Sequence, residues 1–389
     1  MSIPQFATRA ATKAFIERQS ERLQENGYRR LGRTDLLASK LGFGTYRCHS
    51  DIQQHQNAIR AALNAGCNIF DTSANYTDGN AEVLIGDLLN EEVVWGERLR
   101  EELIIVSKAG YIQGENMSIA LSREEKGEPF PEVVKYQPGL WHCIHPEFLE
   151  DQITRSLARM HLDTLDVYLL HNPEYYLSYA MQQGIPREEA EKQFYDRIRR
   201  AFVKMEDFVG EGLIRWYGIS SNGFPLQQEA VNFVGLDLVW RAYQDACLQK
   251  GLMPEQGHLA VVQLPFNWLE TGAAVHATNS WQGKNVTFLE MAKALELGVL
   301  ANRPLNAIVE NRLVRLSNAA SSAGTQQLGK RFDAANPGNE EFSFSQKALM
   351  VAGSQQGIDV VLNGMRTPDY VADSMVVVST ENVSLDDVL

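Results

Sequence analysis

From about residue 40 onward the chain alternates between two patterns of apolar and polar positions. Short runs rich in β-branched and apolar residues predict strands at 41–46, 68–73, 103–109, 165–171, 214–220, 259–264, 299–304 and 359–363. Between them, apolar residues recurring every three or four positions predict amphipathic helices, as at 53–65, 81–89, 148–160, 194–209, 288–297 and 345–355. Eight strands, each followed by a helical or loop-plus-helix segment, imply a parallel sheet, because parallel neighbours need a crossover between them. Eight such units suit closure into a (β/α)8 barrel, although a doubly wound open sheet has the same local grammar. Ahead of the first strand, residues 28–40 read as a hairpin turning at Gly32-Arg33-Thr34-Asp35. Residues 1–27 read as a helical extension and 28–389 as one domain, with no Pro/Gly/Ser-rich linker inside it. Stretches 111–145, 174–190 and 306–342 exceed ordinary loop length. All three follow predicted strands, so in a barrel they would lie on the C-terminal face, where barrel active sites are built.

Composition narrows the function classes. With 44% hydrophobic residues in 389, the chain can bury a sizeable core and is not a disordered protein. Its 36 basic residues against 49 acidic ones give a net charge of −13, which argues against a nucleic-acid partner. Four cysteines (Cys48, Cys67, Cys143, Cys247) lack paired spacing and read as free thiols of a reducing compartment. No run approaches the roughly 18 apolar residues of a membrane span. The N-terminal stretch lacks the apolar core of a secretory signal, and Glu17, Glu21 and Glu25 favour a surface helix over a transit peptide. A cytoplasmic protein without membrane partners is expected.

Three predicted strands run apolar until a single ionisable residue. The second ends Asn68-Ile69-Phe70-Asp71-Thr72-Ser73 with Tyr76 close behind, the third ends Ile104-Ile105-Val106-Ser107-Lys108, and the fourth ends Asp166-Val167-Tyr168-Leu169-Leu170-His171. A lone charge at the end of a buried strand is costly unless paired, so Asp71 and Lys108 on neighbouring strands are expected to neutralise each other. Singly, each has a bland reading as a cap, a structural ion pair or a core ring; together, at strand ends on one face, they suit carbonyl reduction. That chemistry needs a hydride at carbon and a proton at oxygen. Free tyrosine titrates near ~10, and a neighbouring ammonium lowers that value. Tyr76 is therefore the expected general acid, Lys108 its tuner, Asp71 the anchor of Lys108, and His171 the group orienting the substrate oxygen.

These motifs resemble those of the aldo-keto reductases over nearly the whole chain, from Tyr28 to about Met375. Tyr28-Arg29-Arg30-Leu31-Gly32-Arg33-Thr34 and Leu41-Gly42-Phe43-Gly44-Thr45 are similar to the family's hairpin and first strand. Asp71-x4-Tyr76, Val106-Ser107-Lys108 and the strand ending at His171 match its catalytic motifs in order. The resemblance implies a (β/α)8 barrel, reduction of an aldehyde or ketone by NAD(P)H, and the four catalytic roles named above. It also implies a cofactor site at Gly44, Thr45, Asp71, Ser220, Gln263, Asn302, Arg303, Leu305, Gly364, Arg366 and Asp373. Ser220 and Gln263 correspond to residues that hold the nicotinamide carboxamide, with Asn222 one residue beyond its usual place. Where many members read Tyr-Ser-Pro-Leu this chain reads Asn302-Arg303-Pro304-Leu305, so the ring that stacks on nicotinamide is absent. The last motif, Asn363-Gly364-Met365-Arg366-Thr367-Pro368, resembles the turn that takes the adenosine phosphate, with Asp373 set to meet adenine. Gly364 and Tyr370 replace Lys and Arg of some members, and Arg366 is the local cation on which NADPH is expected over NADH. Tyr46 and Trp141 are expected to face the substrate. With Tyr111, Tyr175 and Tyr176 in the long stretches they point to a sugar-like or aromatic carbonyl.

Other patterns have plainer readings. Trp141-His142-Cys143-Ile144-His145 carries metal-binding residue types, but zinc needs three or four convergent ligands and no second cluster is evident, so no metal is expected. Cys48 and His49 read as a pocket wall, and Glu206, Asp207 and Glu211 as a solvated helix face. Two alternative functions stand beside the reductase. One is a nucleotide-binding redox sensor or regulatory barrel with little turnover, which the absent stacking ring keeps open. The other is a barrel hydrolase, which lacks the two acids on neighbouring strand ends that it needs.

Overall fold

The apolar runs form eight parallel strands that close on themselves in chain order: β1 (Leu41–Gly44), β2 (Ile69–Asp71), β3 (Ile104–Ala109), β4 (Leu165–His171), β5 (Ile214–Ser220), β6 (Leu259–Pro265), β7 (Gly298–Asn302) and β8 (Val360–Asn363). The computed structural model describes residues 6–91, 100–309, 312–316 and 323–386. Parts of the expected N-terminal extension (1–5) and of the stretch 306–342 lie outside the described residues. Around the barrel run α1 (Gln53–Asn64), α2 (Asn80–Leu89), α3 (Pro146–Met160), α4 (Arg187–Gly210), α5 (Leu236–Gln249), α6 (Phe288–Ala294), α7 (Phe344–Ser354) and α8 (Pro368–Met375), one after each strand. Helix α5 was not among the segments named from sequence. Its buried residues Leu236, Val239, Ala242, Tyr243, Ala246 and Cys247 nevertheless recur at helical spacing.

Strand β7 stops two residues before the predicted end because Arg303 takes a left-handed backbone (φ 54°), which no strand continues. Strand β1 stops at Gly44, after which the Thr45 amide and hydroxyl both donate to the Asp71 carbonyl, at 2.9 and 3.0 Å. Glu206 departs from the sequence expectation. It is buried, and its carboxylate receives the Tyr217 hydroxyl at 2.7 Å and the His258 main-chain N–H and Nδ1 at 2.8 Å each. Those donors offset the cost of taking it out of water. Asp207 stays at the surface with Lys250.

Side chains alternate across a strand, so every second residue enters the barrel. Ile69, Ile104, Val106, Val167, Leu169, Val261, Leu300, Val360 and Leu362 form one internal apolar cluster, closed beneath by Leu31, Leu36 and Ala38 of the hairpin and by Ala7. Gly42 lines the same space: an added Cβ would lie 2.8 Å from Leu362 and 3.0 Å from Val360. One step further along the same alternation come Asp71, Lys108, His171, Gln263 and Asn302. The barrel is thus apolar through its length and polar only in its last layer.

The three long stretches hold ordered elements at that polar end. The first contains Tyr111–Ile112, a helix at Gly114–Glu125, and strands Val134–Gln137 and Leu140–His142, the strands pairing antiparallel. The second contains a helix at Tyr175–Gln182 that leads into α4. The third contains a hairpin of Asn306–Val309 with Arg312–Arg315 and a helix at Ala323–Ala335. Within the N-terminal extension, Arg9–Glu17 and Glu21–Asn26 are helical. Among the described residues, no helix is long and apolar enough to cross a membrane.

Candidate active site

Parallel register brings the polar layer together. Asp71 pairs with Gly44 on one side and Val106 on the other, Lys108 sits opposite Leu169, and Ser220 opposite both His171 and Gln263. The Lys108 ammonium is fully buried and donates to Asp71 Oδ2 and to the Thr72 carbonyl, each at 2.7 Å. The other oxygen of Asp71 receives Gln263 Nε2 at 2.8 Å. Burial pushes the Asp71 carboxyl up and the Lys108 ammonium down from their ordinary values, and each partner's charge pulls the other back. The expected pairing of these two charges is therefore present.

Tyr76 follows β2 at the start of a tight turn (Tyr76–Gly79) in which Thr77 and Asp78 take left-handed backbone (φ 47° and 56°), and its ring lies 4.9 Å from Lys108 Nζ. It meets His171 and Tyr46 edge-on, with ring centroids 5.8 and 5.3 Å apart. Burial pushes the phenol well above its ordinary value, and the charge of Asp71 and the neighbouring Tyr46 add to this. This is opposite to the lowering expected from Lys108, whose contacts go to Asp71 and Thr72. His171 has Nδ1 2.9 Å from Ser73 Oγ. Burial first, then the Lys108 charge and His142, push the imidazole well below its ordinary value, so it is neutral near pH 7.

Beside this group Ser220, Gln263 and Asn302 converge. Gln263 Oε1 receives Ser220 Oγ at 3.0 Å and Asn302 Nδ2 at 3.1 Å, while Asn302 Oδ1 is buried with no partner among the described residues. The uncommitted groups are a serine lone pair, the Asn302 side-chain carbonyl and the second N–H of both Gln263 and Asn302, that is, acceptors and donors side by side. A primary carboxamide offers the complement, two N–H groups and one carbonyl. The remaining expected cofactor residues are more scattered. Arg303 pairs with Glu270 at 3.0 Å and leaves Nε buried without a partner among the described residues. Leu305 packs on the outer core. Gly364 and Arg366 are exposed at the β8–α8 corner, where Thr367 caps the helix by accepting the Tyr370 N–H at 3.1 Å. Among the described residues Arg366 makes no ion pair, and its charge is felt at Cys48 and His55. The Asp373 carboxylate accepts Gln346 Nε2 at 3.0 Å.

Of the two residues expected to face substrate, Tyr46 stands 58% exposed at the mouth against Tyr76. Trp141 does not join the site. It packs with Ile112, Ala120, Phe130, Cys143 and Phe148 on the outer side of the inserted sheet, under Lys135. Its neighbour His142 faces the other way, and its Nε2 lies 2.7 Å from the His171 carbonyl oxygen. Alternation along Leu140–His142 would have signalled that only one of the two could face inward. His145 instead caps α3 through the Glu147 N–H, and Cys143 Sγ meets the Pro131 carbonyl, so the residues with metal-binding chemistry diverge. Cys48 is buried and its thiol is pushed up to about 12 by burial. Glu174, which sequence reasoning also missed, is buried behind the site, accepting the Ser221 hydroxyl at 2.8 Å and the Asn222 N–H at 2.9 Å. Burial pushes it up to about 7.

The Aldo/keto reductase family profile matches residues 40–387. The NADH-specific methylglyoxal reductase of Escherichia coli (strain K12) is 25% identical over 252 residues, 62% of this chain and 67% of that protein. Aldo-keto reductase family 1 member A1 of Bos taurus is 30% identical over 188 residues, 46% of this chain and 45% of its own length. The chain thus spans under half of that relative. Among solved structures, an aldo-keto reductase of Bacillus halodurans in its holo form superposes with a TM-score of 0.60 at 18% identity, covering 93% of this chain and 94% of that one. An aldo-keto reductase of Klebsiella pneumoniae in complex with NADPH gives 0.55 at 18% identity, covering 91% and 90%. At such identity the two structures speak to the fold, which is the same barrel.

Proposed function

The chain belongs to the aldo/keto reductase family of NAD(P)H-dependent carbonyl oxidoreductases, and we propose that it reduces an aldehyde or ketone with Tyr76 as general acid. The observation that carries this reading is the buried Asp71–Lys108 pair at the barrel mouth, with the Tyr76 ring over the ammonium and the neutral His171 ring beside it. A phenol with a high pKa keeps its proton at neutral pH and so has one to donate to a developing alkoxide. Lys108 has three ammonium protons and two engaged acceptors. The third is available to the phenolate that Tyr76 becomes, and Asp71 holds the ammonium in place. His171, fixed through Nδ1 by Ser73, turns Nε2 to the substrate and orients its oxygen.

Nicotinamide, when bound, supplies the hydride. Ser220, Gln263 and Asn302 would hold its carboxamide through the donors and acceptors left free, and Gly364, Arg366 and the first turn of α8 would meet the adenosine phosphate. Gly44, Thr45 and Leu305 would line that path. Arg303 would face the dinucleotide, whereas Asp373, already tied to Gln346, is less free to meet adenine. Arg366, exposed and without an ion pair among the described residues, favours NADPH, since a planar guanidinium suits a 2′-phosphate. The E. coli relative is named for NADH, and the Klebsiella structure holds NADPH, so the choice rests on this chain's own cation. The aromatic mouth of Tyr46, Tyr111 and Tyr175 favours a sugar-like or aromatic carbonyl. The corner at Asn302 and Arg303, without a stacking ring, favours the second reading, a nucleotide-binding barrel with slow turnover. Incubating the protein with NADPH or NADH and a panel of aldehydes separates the two. Carbonyl-dependent loss of nicotinamide absorbance supports the reductase, and nucleotide binding without it supports the sensor.

A further inference from the structure

The chain reverses sharply just after the histidine at the end of β4. Asn172 takes a left-handed backbone (φ 52°), a conformation that few residues besides glycine and asparagine adopt readily. Three of the contacts at this corner come from its flanking sheets. The Asn172 N–H donates to the Ser220 carbonyl at 2.7 Å, as β5 continues the ladder. The other two come from the sheet inserted after β3. His142 Nε2 meets the His171 carbonyl at 2.7 Å, and Asn172 Nδ2 donates to the Tyr111 hydroxyl at 2.6 Å. A carbonyl oxygen only accepts, so Nε2 of His142 carries the hydrogen.

Tyr111 and His142 are register partners in that inserted sheet, so one rung supplies both contacts. The Tyr111 ring also lies edge-on to His171 at 4.7 Å, and His142 stacks on Tyr175, with centroids 5.8 Å apart and ring planes 29° apart. The chain leaves β3 for this sheet through Gly110, where an added Cβ would lie 2.5 Å from the His171 carbonyl oxygen and 2.6 Å from His142 Nε2. A glycine is what lets the carbonyl and the imidazole close on each other.

We propose that the Tyr111–His142 rung is a clamp on the His171–Asn172 corner, with His142 as a positioning residue that sets where the His171 imidazole stands. His142 itself touches no reacting atom. It acts through the main chain of His171, so its removal is felt in the turnover step rather than in nucleotide binding. The inference rests on the reductase reading for its kinetic arm but not for its structural one.

The test compares His142→Leu, His142→Gln and Tyr111→Phe in the full chain by amide hydrogen exchange and by kinetics. His142→Leu removes the donor, and His142→Gln restores an N–H. Exchange at the Asn172 amide should speed at least tenfold in His142→Leu, and should return to within about threefold of wild type in His142→Gln. With a carbonyl that wild type reduces, kcat of His142→Leu should fall about ten- to hundredfold, the scale expected for a reacting group displaced by up to an ångström. NADPH affinity should stay within about twofold, and the glutamine variant should recover most of the rate. Tyr111→Phe, which removes one hydroxyl and leaves the ring, should speed Asn172 exchange with little loss of global stability. Unchanged exchange in both His142→Leu and Tyr111→Phe would overturn the clamp. So would a leucine variant that keeps kcat, or a glutamine variant no better than leucine. If wild type reduces no carbonyl, the reductase reading fails while the exchange arm still decides the clamp.

Discussion

Replacing Lys108 by methionine tests the physics of the site without reference to its activity. The ammonium is fully buried, and Asp71 is only 4% exposed. Methionine approximates the lysine stem, so the variant removes the charge and little volume. Asp71 then retains one partner, Gln263 Nε2 at 2.8 Å, for a carboxylate out of contact with water. Breaking one side of a buried ion pair typically costs about 3–5 kcal/mol. The sign of the pH dependence follows from the carboxyl that remains. Burial already raises the Asp71 value, and without Lys108 nothing of opposite charge pulls it back. A carboxyl with its folded pKa above its unfolded one is most favourable to folding below the unfolded value and loses that contribution as pH rises through the folded one. The deficit of Lys108→Met relative to wild type should therefore be small near pH ~5 and grow to about 3–5 kcal/mol near pH ~8. Urea denaturation at both pH values measures it. The double variant Asp71→Asn/Lys108→Met, which has no charge left to bury, should recover about 1–3 kcal/mol of the loss at the higher pH. A deficit below about 1 kcal/mol at pH ~8, the same deficit at both pH values, or a double variant no more stable than the single one would refute the pairing argument.

Glu174 offers a second pH experiment. Its value is pushed from 4.5 up to about 7, so it favours folding most below the first figure, and up to about 3 kcal/mol is lost as pH rises through the second. Glu174→Gln should flatten the fall in stability between those values, and a wild-type curve reproduced unchanged would show that Glu174 does not titrate there. Arg366→Ala should weaken NADPH about ten- to hundredfold and change NADH little, as expected for a charge-assisted bond of about 1.5–3 kcal/mol. Fluorescence titration checks it: equal losses for both nucleotides would make Arg366 structural, and tighter NADH binding by wild type would reverse the cofactor preference. Asn302→Leu removes the orphaned acceptor beside Gln263 and should weaken both nucleotides alike, about fivefold or more. Unchanged affinity would place the carboxamide elsewhere.

The barrel was legible because its signals are local. Strands β4 and β5 run between the residues expected, since an apolar run flanked by polar turns needs no long-range information. That Asp71, Lys108 and His171 share one layer was legible for a related reason: an ionisable residue ending an apolar strand is anomalous on its own terms. What escaped the sequence depends on the chain meeting itself. That Asn302 and Gln263 share a hydrogen bond follows from the register of β6 against β7, which periodicity does not report. Which of Trp141 and His142 faces His171 is decided by pairing with Tyr111, which composition does not report. Glu206 looked like a solvated acid because the donors that hold it come from Tyr217 and His258. The direction of the Tyr76 shift turns on the depth of burial, which the sequence does not report.

The central claim is that Tyr76 gives the proton in a carbonyl reduction, and Tyr76→Phe tests it most directly. The variant keeps the ring that packs against Tyr46 and His171 and loses only the hydroxyl. Nucleotide binding, followed by fluorescence, should stay within a few-fold of wild type, while carbonyl-dependent oxidation of NADPH should fall about 10²–10⁴-fold, the range of a positioned acid. Tyr76→Phe with kcat within a few-fold of wild type would contradict the account.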